Sequence, residues 1–595
     1  MRSWLLKLLA LLMVFGLVAA ACGNDDDDGV TTAPDEPAPA EPADDGDDEP
    51  APAPADDGDD EPAPAPADDG DDEPAPAPAD DGDGEAAPEE EPMMDACEAT
   101  VPGTEINMGV FSETRGLDPI ITSGSGVTGM TELSTLYDQL IVYDHNLGDY
   151  RPHLAESLSS NDDLTEWTLT LRPGITFPDG TPLDTAAVHY SLQRFVTEDA
   201  LNGSSAFIAW VEEFEIVDDL TMVLHLDRPW GTFPYALADE PGMVVNPTVV
   251  EAMGQEEFNL NPVDGGVGPY NIERYAPGEE IVVTAKDDYW GGPVCVETIR
   301  FIRIPGAPAT YEAFQNDEIN VAFLREARTI ADAVENGDDA SSFSSLQNGG
   351  SSIFMNNGVR GSTPPTTDLR LREAIALAVD VDVLNQRSNE GLGKANTALM
   401  HPDSVYYDAA LFPEVEQNLD RARELVQEVK DETGWDGSIR LACHNAPSRI
   451  DWAIAVVALL EAAGFEVDLD NDGTILDLIT IVLRNADFDL ACWGFNISDE
   501  TPFFPMIQFR SDARNNRIGY ADPNMDAAID QLQVATNTEE IQAALAEIWR
   551  VWQQSWPSAI TESVQELIIL KPEVKGVMAT QVSALLFHDA YIDEG

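Results

Sequence analysis

Basic residues are what this sequence has least of: 30 Lys and Arg among 595 residues, against 111 Asp and Glu, for a formal net charge of −81. Such a chain cannot present the basic footprint that nucleic acid requires. Cysteine is scarce as well, five in all, with no Cys-x-x-Cys and no clustered histidine, which argues against a structural metal site. The seven histidines (His145, His153, His189, His225, His401, His444 and His588) are scattered. Neither His-Glu-x-x-His nor Gly-x-Ser-x-Gly occurs, so the usual zinc- and serine-hydrolase signatures are missing. After the first residues, no apolar run is long enough to span a bilayer.

The start of the chain gives a location. Arg2 and Lys7 precede an apolar run, Leu8 to Ala21, ending in Ala19-Ala20-Ala21-Cys22. A charged start, a short apolar core and small residues before a cut read as a signal peptide over 1–21. A cysteine directly after them is the lipoprotein variant, with Cys22 the lipidation site and the protein held at the outer face of the membrane. Ordinary secretion with Cys22 incidental is the alternative.

Residues 22–98 read as a tether. Asp44-Asp45-Gly46-Asp47-Asp48-Glu49-Pro50 returns from Asp56, Asp68 and, degraded, Asp80. Acid clusters alternating with Pro-Ala steps have little apolar mass to offset the entropy of ordering, and they favour extended conformations. Calcium loops need ligands at turn-specific offsets, which Pro-Ala spacing does not provide. The tether holds 31 of the 111 acids, leaving 80 elsewhere. The folded part is therefore acidic too, as suits a salty environment or a cationic ligand.

The remaining 500 or so residues are too many for one core, so two or three lobes are expected. Once Cys22 is set aside, four cysteines in an exported chain favour disulfides, and three pairings are possible. Cys443 and Cys492 each sit in a strand-like apolar run, which favours Cys443–Cys492 and leaves Cys97–Cys295. Strands are read at Ile106–Phe111 and Glu297–Ile304. Asp184 is placed as N-cap of a helix with Val188, Leu192 and Phe195 on one face. From Ile439 the order is strand, helix (Ile450–Ala463), Gly464, strand (Phe465–Leu469), helix, strand (Phe488–Trp493). That is the βαβαβ pattern of a parallel sheet. Ile541, Leu545, Ile548 and Trp552 mark a further apolar helix face. Gly124-x-Gly126-x-x-Gly129 matches a dinucleotide fingerprint in letters, but no clear strand precedes it and an exported chain meets little NAD. No cofactor is implied.

A longer-range pattern runs through the chain. Tyr137-Asp138-Gln139-Leu140 is followed by Arg151-Pro152-His153-Leu154-Ala155-Glu156-Ser157 and by Leu171-Arg172-Pro173-Gly174-Ile175-Thr176-Phe177-Pro178-Asp179-Gly180-Thr181-Pro182-Leu183. Then come Asn261-Pro262-Val263, Gly268-Pro269-Tyr270, Tyr289-Trp290-Gly291-Gly292-Pro293, Asp368-Leu369-Arg370-Leu371-Arg372-Glu373-Ala374 and Pro523-Asn524-Met525-Asp526. In this order and spacing the chain resembles the family 5 extracellular solute-binding proteins of ABC importers, the oligopeptide, dipeptide and nickel binders.

The resemblance implies an α/β, type II periplasmic-binding-protein-like fold: two lobes with a hinge and an inserted subdomain. Lobe I would be discontinuous (99–145, 285–350 and 560–595), the inserted subdomain would be 146–284 and lobe II 351–559. It implies a monomer that captures a short peptide between the lobes and delivers it to permease subunits, without catalysis. Metal chelates or oligosaccharides on the same fold, an extracellular hydrolase and a transporter-free sensor are the other readings. In peptide-binding relatives an Asp three residues after a strand-end Trp anchors the peptide's α-ammonium. Here that Trp is Trp493, and the position holds Asn496, with Asp499 three residues further on. Asp499 either takes over the anchor or is a solvated loop acid. Trp493 either stacks on the ligand or fills the sheet edge. Gly124, Ser125 and Gly126 offer backbone donors or form a plain turn. Arg387 faces a ligand carboxylate or lies on the surface.

Overall fold

Where a cap and a periodic apolar face coincide in the sequence, an element forms. The computed structural model describes Cys97 and residues 103–593, apart from 111–113, 123–128, 146, 198–199, 201–204 and 514. The signal segment, Cys22 and the acidic repeats lie outside the described residues. Asp184 accepts from the amides of Ala186 and Ala187 and opens the helix Thr185–Phe195, which buries Val188, Leu192 and Phe195. The helix Thr538–Ser555 buries Ile541, Leu545, Ile548 and Trp552.

The expected βαβαβ unit is present. Strand Ser438–Ala442, helix Pro447–Ala462, strand Glu466–Asp470, helix Ile475–Ile479 and strand Leu490–Trp493 follow in order. Gly464 turns the chain between helix and strand at φ 98°, a conformation that side chains other than glycine's rarely allow. Ser438–Ala442 pairs parallel with both other strands, Ile439 opposite Val467 and Leu441 opposite Leu490.

These strands form one end of an eleven-stranded sheet. Its order runs Glu466–Asp470, Ser438–Ala442, Leu490–Trp493, Ser342–Met355, Ser558–Leu570, Val321–Leu324, Glu105–Val110, Thr298–Arg303, Glu280–Ala285, Tyr270–Ala276, with Lys394–Ala395 paired to Ser558–Leu570 off this path. Two antiparallel strands, Ser342–Met355 and Ser558–Leu570, run through its middle. At one end they pair with Val321–Leu324, and at the other with Leu490–Trp493. Lobe limits drawn at 350/351 and 559/560 therefore fall inside these two shared strands.

The hairpin Tyr270–Ala285 bears on the limits of the inserted segment. It was expected in the inserted subdomain but extends the large sheet, with Val283 opposite Ile299. The cause is burial: Ile272, Ile281 and Val283 join the core of Ile106, Met108, Ile299, Phe301 and Val321. The inserted segment has its own antiparallel sheet, ordered Ala155–Ser160, Glu166–Leu171, Thr221–Leu226, Val211–Ile216. The core beneath it is continuous with that of helix Thr538–Ser555. Trp210 and Trp230 lie 6.0 and 5.8 Å from Phe503, and Phe207 lies 4.1 Å from Phe504, ring centre to ring centre. A third core, around Leu371, Ile375, Leu425, Trp452 and Leu490, supports the parallel strands. Cys97 is bonded to Cys295, and Cys443 to Cys492 across two adjacent strands.

Candidate functional site

The two shared strands are irregular at their midpoint, and a cleft opens there. Their pairing slips between Gln347 and Ser351 and again between Ser351 and Ser352. Such slips bend a strand and re-aim its side chains. At this bend Gly494 packs against the backbone of Gly350 so closely that an added Cβ would stand 2.2 Å from the Gly350 carbonyl oxygen. The cleft measures about 1600 Å³, more than the roughly 300–1,000 Å³ of ordinary small-molecule sites. Helices Ala307–Gln315 and Ala327–Asn336 wall one side; Arg449, Trp493, Asn496 and Arg517 line the other, with Ser351 and Glu562 between.

Trp493 ends its strand at the carboxyl edge of the parallel set, where open α/β sheets place ligands. It lines the cleft half-buried, with the Arg517 guanidinium 5.8 Å from its ring centre. The chain leaves the ladder at Gly494 and rejoins it at Ile497, which exchanges both backbone hydrogen bonds with Asn348. In between, Phe495 is buried against Phe354, Phe509 and Trp552. Asn496 sits at φ 47°, a left-handed position that asparagine tolerates, and is one of the residues lining the cleft.

Asp499 faces elsewhere. Its Oδ1 accepts from Ser404 Oγ at 2.6 Å and its Oδ2 from the Val405 amide at 3.0 Å, while Tyr406 donates to its carbonyl. It ties down the Ser404–Tyr406 turn and is not among the residues that line the cleft. Burial raises its pKa. Arg387 is exposed on the helix Val381–Ser388, also outside the lining. Gly124, Ser125 and Gly126 lie outside the described residues.

The sequence reading missed the charged floor of the cleft. Glu562 accepts from Ser351 Oγ at 3.1 Å and from Asn389 Nδ2 at 2.6 Å. Burial pushes its pKa up, and the nearby Arg449 opposes that. Arg449 Nη1 donates to the same Ser351 hydroxyl at 3.3 Å, so arginine and carboxylate are joined through a serine rather than directly. One signal was available for Arg449: it stands in the first turn of the helix Pro447–Ala462, where a cation opposes the helix dipole. A residue that breaks a local rule is a candidate for function. Among the described residues, no group of three or more His, Cys, Asp or Glu side chains is placed to hold a metal ion.

Residues 149–517 match the model for bacterial extracellular solute-binding proteins, family 5. The chain is 24% identical over 467 residues to the probable D,D-dipeptide-binding periplasmic protein DdpA of Escherichia coli strain K12, covering 75% of this chain and 87% of that one. Among solved structures it is similar to Haemophilus influenzae OppA in complex with RPPGFSPFR (TM-score 0.67, 18% identity, covering 83% of this chain and 100% of that one). It is also similar to AgaA from A. tumefaciens R10 in complex with agropinic acid (TM-score 0.67, 20% identity, covering 83% and 99%). These structures share the fold, that of type II periplasmic-binding proteins.

Proposed function

The chain belongs to the family 5 bacterial extracellular solute-binding proteins, and from that premise we propose that it is the capture component of an ABC importer, holding short peptides in its cleft and delivering them to a permease. The observation that carries this is the cleft itself. It is large, lies where two shared strands bend, and sets a carboxylate, Glu562, beside arginines. A short peptide carries both charges and a backbone rich in hydrogen-bonding groups, and such a floor suits it. The bend supplies a hinge, and closure becomes a signal to the permease when the ligand binds the closed state better than the open one. The relatives named for a dipeptide and bound to a nonapeptide support this reading.

A second reading is a non-peptide ligand on the same fold. It is favoured by the neighbour bound to agropinic acid and by Asn496 standing where an amine-anchoring Asp was expected. In either case the protein binds without turnover. We further propose that it is exported and lipid-anchored through Cys22. Radiolabelled palmitate should enter the expressed protein and fail to enter the Cys22→Ala form.

Thermal unfolding against di- to pentapeptides, nickel chelates and oligosaccharides tests the ligand class. A ligand that binds only the folded state raises the midpoint with its concentration. A rise with peptides, with no cleavage products afterwards, is the expected outcome. A rise only with chelates or sugars would overturn the peptide assignment.

A further inference from the structure

Cys443 and Cys492 stand where the pairing of two neighbouring strands stops. Ser438–Ala442 and Leu490–Trp493 run parallel, with Leu441 opposite Leu490 and Ala442 opposite Ala491, and the ladder ends there. The next residue on each strand is a half-cystine, and the two are bonded to each other. Both are buried, 3% and 4% exposed, in the core around Leu371 and Trp452. The chain beyond each cysteine lines the cleft: His444 and Arg449 after Cys443, Trp493 and Asn496 after Cys492. Cys492 is itself a lining residue.

The two rims are tied to different neighbours. On one, Trp493 pairs with Ser352, the Phe495 amide donates to the Gly349 carbonyl at 3.1 Å, and Ile497 exchanges hydrogen bonds with Asn348. That rim is held to the strand Ser342–Met355. The other rim is held on the opposite side. The Cys443 amide donates to the Asp470 carbonyl at 2.8 Å, the Asn445 amide to the Gly473 carbonyl at 2.9 Å, and Asn445 Nδ2 to the Asp472 carbonyl at 3.1 Å. Across the gap, Arg449 Nη1 donates to Ser351 Oγ at 3.3 Å. Among the described residues, the Cys443–Cys492 bridge is the one covalent joint between the rims. A disulfide constrains the unfolded chain wherever it lies in a fold. Placed at the end of this ladder, it also fixes the separation of two lining segments.

We propose that Cys443 and Cys492 are positioning residues of the binding site: their bridge holds the His444–Arg449 rim and the Trp493–Asn496 rim at the separation the ligand needs, so that the oxidised protein captures its ligand and the reduced protein binds it weakly. This rests on the reading of the cleft as the peptide site. A rim ordered in advance spares the ligand the cost of ordering it on binding. Reduction by a dithiol breaks the S–S bond, leaves one hydrogen on each cysteine sulfur, and oxidises the dithiol to its own disulfide. Each rim then depends on its own neighbour alone, and its ordering falls on the binding step.

The test uses the full chain in three forms: wild type, Cys443→Ala with Cys492→Ala, and Cys97→Ala with Cys295→Ala. The last removes the bridge that does not line the cleft. Calorimetry with the best-stabilising peptide of the di- to pentapeptide panel should show binding weakened on the order of 10-fold without Cys443–Cys492 and unchanged without Cys97–Cys295. The same loss should appear without any change in the core: dithiothreitol added to the Cys97→Ala, Cys295→Ala form should weaken binding by a similar factor, and reoxidation should restore it. Hydrogen exchange without peptide gives a readout that a purely stabilising bridge would not move. Loss of Cys443–Cys492 should speed exchange within 444–449 and 493–497 while strands Ser438–Ala442 and Glu466–Asp470 keep their protection. Unchanged affinity on loss of that bridge, in a protein whose wild type binds the peptide, overturns the positioning role and leaves the peptide reading standing. Exchange that quickens alike through the rims and the strands assigns the bridge to stability alone and also overturns it. Faster exchange confined to the rims, with no peptide of the panel bound by the wild type, overturns the peptide reading and supports the positioning role.

Discussion

At the residue scale, the most consequential groups are carboxylates buried away from water. Glu132, in the first turn of the helix Met130–Leu136, is 1% exposed and accepts from the Gly129 amide at 2.7 Å. Burial raises its pKa from the ordinary value to about 7. Since the folded-state pKa lies above the unfolded one, the contribution of this group is fully present below about pH 4.5 and is lost as pH rises through about 7. Glu132→Gln keeps an acceptor for Gly129 and carries no charge. Its unfolding midpoint should exceed the wild type's at pH 8, by on the order of 3 kcal/mol in stability, and approach it at pH 5; equal midpoints at both pH values would show that the buried carboxylate costs nothing. Asp499 illustrates the opposite case. Its carboxylate has partners on both oxygens within the Ser404–Val405 turn, so its motif-like spacing from Trp493 does not bring it into the cleft lining.

At the scale of elements, the shared strands do the positioning, and Gly494 shows how tightly. Gly494→Ala would drive a Cβ into the Gly350 carbonyl. Overpacking of this kind typically costs about 1–3 kcal/mol. Urea unfolding should show that loss together with weakened ligand binding, since the same contact sets the bend beneath Ser351 and Trp493. A fall in stability with unchanged affinity would separate the bend from the site. The same elements divide what was legible from what was not. Helix Thr185–Phe195 was legible because Asp184 caps it and Val188, Leu192 and Phe195 recur on one face. The parallel strands were legible because short apolar runs alternate with a helix and a glycine. Strand Ser342–Met355 was not: its first half, Ser-Phe-Ser-Ser-Leu-Gln-Asn-Gly-Gly, lacks a sustained alternation, and its partner begins about 200 residues later. Register between distant segments assembles the cleft floor, and no local pattern encodes it. Ser351 and Glu562, 211 positions apart, meet only after that register is set.

At the scale of the whole molecule, the inserted sheet and the helices around Phe503 share one aromatic core, while the large sheet passes unbroken through the cleft. Movement about the shared strands would work against the Trp210, Trp230 and Phe207 contacts with Phe503 and Phe504. The formal net charge of −81 is that of the full 595-residue chain, and residues 22–98 carry 31 of its 111 acids. The measurement that bears most directly on this account is a crystal structure of the full chain with its best-stabilising peptide. The account predicts peptide density in the cleft between helix Ala327–Asn336 and Trp493, over Ser351 and Glu562. A peptide bound outside that cleft would contradict it.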